Sequence, residues 1–298
     1  MSTSTRDERA GQRAGGGGGA GGGGVPPFDR RQLARRLSMD AAVFWLVGVA
    51  VVASFILALW LHDRHAVLAV LPVAVLLAAW LALNLLSASA SRELPMIAAM
   101  TEHDPPAAER RLAQLMRRPG LLGWVRLMLY HRLAVLRHRQ HAFDESAAIC
   151  AAVLSRRLGP ARAARPHLLL MLVEASLERG DHASAYAALS ELGQRKLSLV
   201  ESVQRLALLT RYCLATGQPA HALADLPRRV ELAELLPAPQ CGAMHAMLGR
   251  AAELAGHEQW AQWLWARAEL LCTPQQHQRH RAGHFGVALV DAMEPVGM

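Results

Sequence analysis

The sequence predicts an all-α protein with two parts, a transmembrane helical hairpin near the N-terminus and an array of helix-turn-helix units behind it. Three observations predict this. Two uncharged apolar runs fill most of the stretch from Ala41 to Leu86. From Pro105 onward apolar positions recur at three- and four-residue spacing, the period of an amphipathic helix. Segments similar to one another then return at nearly constant intervals down the second half of the chain. With apolar residues at 52% but aromatics at only 5%, alanine-rich helices suit the chain better than a sandwich built on alternating Val, Thr and aromatics.

The first 40 residues form a basic, glycine-rich arm containing GGGGGAGGGG from Gly15 to Gly24. Such a segment cannot bury enough apolar surface to offset its chain entropy, so a disordered tail is expected. Neither a cleavable secretory signal nor the glycine after Met1 that myristoylation requires is visible.

Ala41–Leu61 and Ala66–Leu86 follow as two transmembrane helices, residues 41–61 and 66–86. About 20 helical residues at roughly 1.5 Å each cross a hydrocarbon core of roughly 30 Å. Arg30, Arg31, Arg35 and Arg36 precede the first span; Arg92, Arg110, Arg111, Arg117 and Arg118 follow the second; the turn His62–His65 holds only Arg64. By the positive-inside rule both termini and the large domain are expected in the cytoplasm, at the inner membrane. Trp45, Trp60 and Trp80 lie near span ends, and Pro72 is expected to kink the second span. Neither span carries an ionisable side chain, which argues against an ion or proton path.

Lys196 is the sole lysine, so the net charge of +8 is almost entirely arginine and is spread along the chain. No dense basic block points to nucleic acid, and anionic lipid headgroups are the expected counterpart. Cys150, Cys213, Cys241 and Cys272 show no CxxC pair and read as small buried hydrophobes. His277, His280 and His284 fall at i, i+3 and i+7, a spacing that could serve a metal, but Gly283 interrupts the helix and no acidic ligand lies close in sequence. No metal or other cofactor is therefore expected. The nucleophile-elbow, phosphate-loop, HExxH and dinucleotide motifs are absent from the sequence, and neither enzymatic activity nor a small-molecule substrate is expected.

Residues 87–127 read as a linker with capping helices, one over Ala107–Arg118. Four similar segments start at Gln140, Glu178, Ala215 and Leu254. In each, a turn residue (Ala142, Gly180, Gly217, Gly256) is followed five positions later by an alanine (Ala147, Ala185, Ala222, Ala261), at intervals of 38, 37 and 39 residues. This pattern resembles the tetratricopeptide repeat, in which a small residue separates two antiparallel helices and another lets them pack closely. The resemblance gives units at 128–161, 166–199, 203–236 and 242–275, a repeat domain over 128–275 and a tail over 276–298. Leu172, Leu209 and Leu248 match the family's first-helix leucine, Gly249 its adjacent small position, and Trp265 and Ala268 its second helix. The first unit departs, with Ala142 for glycine and Ala134 for leucine, and the family's early tryptophan is missing throughout. A generic helical-hairpin solenoid shares the same architecture.

Stacked hairpins bury one another's apolar faces and leave a concave groove lined by first helices. The resemblance implies a groove of Arg132, Arg139, His167, Glu174, Gln204, Arg211, Arg250 and Glu253. Arginine recurs among them, and its planar fork suits carboxylates, so a protein or peptide ligand of acidic character is the expected partner alongside the lipid bilayer. The ordinary alternative for such charged positions is a solvated helix face. The expected function is a membrane-anchored interaction scaffold or adaptor. A structural subunit that assembles through its membrane hairpin is the alternative, with Gly48, Ala50 and Ala53 small enough for close helix contact. A metal-dependent enzyme would rest on the histidine cluster alone.

Overall fold

A computed structural model describes residues 49–54, 56, 66–118, 121–156 and 158–285. The arm over 1–40, most of the first span, the turn at 62–65, Pro119–Gly120 and the end of the tail lie outside the described residues, as does the question of a membrane hairpin. The fold is all-helical, and no strand occurs among the described residues.

Helix α1 runs unbroken from Ala66 to His103, 38 residues and so roughly 57 Å. Its sequence changes character midway. Val73, Val75, Leu77, Trp80, Leu81, Leu85 and Leu86 are exposed, whereas Ser87, Ala90, Leu94, Ile97, Ala98 and Thr101 form a buried stripe at helical spacing. The expected boundary after Leu86 is therefore no boundary in the backbone. The apolar stripe continues the helix through Pro95 because it packs on the next two helices, α2 (Pro105–Arg117) and α3 (Gly123–Arg139). Asp104 caps α2 by accepting from the Ala107 N–H at 3.0 Å. Three polar contacts lock the corner: Ser87 Oγ accepts from the Leu122 N–H at 2.9 Å, and Glu93 receives Arg111 at 2.7 Å and Arg118 at 3.2 Å.

Helical hairpins follow: α3 with α4 (Phe143–Leu154), α5 (Arg165–Glu178) with α6 (His182–Gly193), and α7 (Leu199–Ala215) with α8 (Pro219–Ala222) and α9 (Leu226–Ala233). The last pairs α10 (Ala238–Leu254) with α11 (Glu258–Leu271), and α12 (Pro274–Arg281) packs on both. Each hairpin meets its neighbour in chain order, and the apolar core passes from Leu129, Ile149 and Met171 through Leu189 and Leu208 to Met247, Leu264 and Trp265.

The four turns share one hydrogen-bond pattern. The N–H groups of Ala142, Asp181, Gln218 and His257 reach back to the carbonyls of Arg137, Ser176, Cys213 and Ala252. The residue before each of these donors is left-handed: His141 (φ 58°), Gly180 (70°), Gly217 (69°) and Gly256 (77°). In the first hairpin the shared turn geometry thus falls one residue before Ala142. The partner of the glycines is His141, not Ala142, and the intervals become 39, 37 and 39 residues. Leu133, fully buried, stands eight residues before His141, as Leu172, Leu209 and Leu248 stand before the three glycines. Ser146 takes the small position beside Ala147, its hydroxyl donating to the Ala134 carbonyl at 3.1 Å. Ala147, Ala185, Ala222 and Ala261 are all buried.

In the third hairpin the second helix is broken in two. Pro227 has no N–H and its ring blocks the carbonyl four residues back, so the helix stops at Ala222 and restarts at Leu226 after left-handed Asp225 (φ 55°). Buried Arg229 fills the break, donating to the Ala224 carbonyl at 2.6 Å, the His221 carbonyl at 3.1 Å and Thr210 Oγ1 at 3.0 Å.

Candidate functional site

The register shift also changes which side chains of α3 face the next hairpin. His131 and His138, not Arg132 and Arg139, carry the contact with α5. Nε2 of His131 lies 2.7 Å from Nδ1 of His167, and Nε2 of His138 lies 3.2 Å from Oε2 of Glu174. The pairs sit two turns apart on both helices, forming a polar seam inside an apolar interface. One imidazole of the first pair donates to the other, which requires at least one neutral ring. Burial above all favours neutrality, followed by His167 and then Arg132 for His131 and by Arg132 for His167: His131 falls well below the usual histidine range and His167 falls to about 4.

The eight residues implied by the resemblance therefore do not make one open basic face. Glu174 and Gln204 are buried. Arg139 reaches Glu102 at 3.4 Å, Arg211 reaches Glu178 at 2.7 Å, and Glu253 is shared by Arg250 at 3.0 Å and Arg281 at 3.2 Å. Arg132 is half-buried beside the histidine pair. The structure brings His167 and Glu174 together on one seam and leaves Arg250 and Glu253 on the surface. Elsewhere an open recess is lined by Arg162, Arg195, Lys196 and Glu201, with Arg195 paired to Glu191 at 2.6 Å.

A second cluster was missed in sequence. Glu234 is the C-cap residue following α9, Cys241 and His245 lie one turn apart on α10, and their oxygen, sulfur and nitrogen donors all come within 4.8 Å of one another. His245 Nε2 is 3.3 Å from Glu234 Oε1, while Arg267 of α11 donates to the same carboxylate through Nε at 3.2 Å and Nη2 at 3.0 Å and 3.1 Å. Trp263 stands edge-on to the His245 ring at 6.0 Å. Arg267 holds the Glu234 carboxyl below its ordinary range. Burial, reinforced by Glu234, pushes the Cys241 thiol up to about 11, and burial lowers His245 against the opposing pull of Glu234. The signal available was Cys-x3-His on one helix face; Glu234 and Arg267 arrive only through the fold.

The histidines that sequence spacing did single out disperse. His277 stacks on Trp265 at 5.8 Å beneath an interaction that also places the Arg281 guanidinium 4.1 Å from the indole, and His280 stacks on Phe285 at 5.8 Å. Cys150, Cys213 and Cys241 are buried as expected of small hydrophobes, while Cys272 is half-buried against Gly242. No protein-family model, curated protein or solved structure matches the chain significantly.

Proposed function

We propose that the chain is a membrane-anchored interaction scaffold whose helical hairpins form a tetratricopeptide-like solenoid on the cytoplasmic face. One observation carries the reading. In the most apolar eighteen-residue window of the candidate span Val73–His103, only 11% is buried within the protein. Leaving that many Val, Leu and Trp side chains in water is unfavourable by about 25 cal/mol per Å2, whereas a bilayer accommodates them. The same helix then enters the core beside α2 and α3, so the hairpins would be fixed rigidly to the anchor instead of hanging from a linker. The positive-inside bias supports a cytoplasmic position for them.

Recognition is assigned to the hairpins' surface, with the Arg162, Arg195 and Lys196 recess as the seat for an acidic protein segment. Proximity labelling from a C-terminal fusion in intact cells tests this against the variant Arg162→Glu/Lys196→Glu. A small labelled set that vanishes on charge reversal is expected; an unchanged set contradicts the assigned surface. The alternative, assembly through the membrane segment, draws on the same exposed helix, since residues 73–86 could meet other helices as readily as lipid. Exchanging the segments for unrelated spans separates the two: an anchor tolerates the exchange and an assembly surface does not.

A further inference from the structure

We propose that Glu234, Cys241 and His245 form a binding site for a zinc-class divalent cation, clamping α9 to the last hairpin. Three kinds of donor converge: carboxylate oxygen, thiol sulfur and imidazole nitrogen, all within 4.8 Å of one another. The separation between Glu234 Oε1 and His245 Nε2, 3.3 Å, is long for a charge-assisted hydrogen bond. It matches the distance between two ligand atoms on a tetrahedral zinc ion, about 3.3 Å for bonds of about 2.0–2.1 Å.

The supporting framework is stiff. Cys241 and His245 are four residues apart on α10, so both side chains leave the same face of one helix. Both are buried; Nε2 of His245 faces Glu234 Oε1, and its Nδ1 makes no hydrogen bond among the described residues, so Glu234 is the ring's one polar contact there. Glu234 is held from outside by Arg267, whose fork orients the carboxylate as outer-shell groups do for metal-ligating carboxylates.

The donor set selects the metal. A thiolate with an imidazole favours zinc, or cobalt in its place, over calcium and magnesium, which prefer all-oxygen shells. On binding, the Cys241 thiol releases its proton to solvent; thiolate and carboxylate together neutralise the dication, and Arg267 keeps its charge outside the coordination sphere. Three protein donors would leave one tetrahedral position for a water molecule. The site bridges the third hairpin, weakened by the break at Pro227, and the fourth.

The test uses the full chain in detergent, stripped with a chelator and titrated with Co2+. One equivalent is expected to bind with the thiolate-to-cobalt charge-transfer band and the intense visible bands of tetrahedral cobalt, and Zn2+ is expected to displace it. Cys241→Ser should abolish the charge-transfer band, and Glu234→Gln, at a partly exposed position that leaves the core intact, should weaken binding at least tenfold. Cys272→Ser and the triple variant His277→Gln/His280→Gln/His284→Gln should bind as wild type. Absence of binding, a charge-transfer band that survives Cys241→Ser, or equal affinity in Glu234→Gln overturns the site.

Discussion

Nε2 of His138 lies 3.2 Å from Oε2 of Glu174, and both side chains are shut away from water where α3 meets α5. Phe143 covers the imidazole edge-on at 5.3 Å. A polar pair in such a place contributes little net energy, but the loss of one member strands the other. Glu174→Ala is expected to destabilise the chain by about 3 kcal/mol, and adding His138→Leu should recover part of that loss. Thermal melts of the two variants in detergent check this; a double variant no better than Glu174→Ala would show that the pair is not the source of the cost.

The second pair of the seam gives the fold a sensitivity to acid. Folded His131 and His167 titrate below the ordinary 6.5, His167 at about 4, with Arg132 and His138 adding to burial and Glu201 opposing it. Below about pH 6.5 the unfolded chain binds protons that the folded chain refuses, so stability rises with pH across this window. It is complete above about 6.5 and declines towards 4, by about 3 kcal/mol for His167. Melting temperatures at pH 7 and pH 5 should differ less in His131→Asn/His167→Asn than in wild type. An equal difference would place the acid sensitivity elsewhere.

His141 holds at φ 58° the position that glycine occupies in the other three turns. A left-handed backbone costs a side chain about 1 kcal/mol that glycine avoids. His141→Gly is expected to stabilise the protein by up to about 1 kcal/mol, and Gly217→Val to destabilise it by about that amount or more, both read from melting temperature. Stabilisation by neither His141→Gly nor any other change at that turn would contradict the shared geometry.

The junction of α1 with the hairpins predicts where the chain can be cut. Ala90, Leu94 and Ile97 belong to the same core as Leu112, Leu115 and Val125. A fragment starting at residue 87 should remain monomeric and helical, while one starting at Pro105 exposes that core and should aggregate. Size-exclusion chromatography and circular dichroism of the two fragments decide this, and equal behaviour would mean that the buried half of α1 is dispensable.

Helical class and hairpin order were legible because apolar spacing and turn glycines are local signals. The register of the first hairpin was not, since a histidine at the left-handed position carries no such mark and Ala142 offered a small residue one place along. The break at Pro227 was written in the sequence but hidden by the alanine match at Ala222. The continuation of α1 past Leu86 depends on contacts with Leu112 and Val125, far along the chain. The charged positions taken from the resemblance were the least legible: Glu174 and Arg211 are spoken for by His138 and Glu178, and only the fold brings those partners into reach.

Extraction of isolated membranes with alkaline carbonate tests the anchor most directly. The full chain is expected to stay in the membrane pellet, and Leu77→Lys/Leu81→Lys, which places two charges in the exposed apolar stretch, is expected to shift it towards the supernatant. A wild-type chain recovered in the supernatant, folded and helical, would contradict the account: residues 73–86 would then need a protein partner, not a bilayer, to cover them.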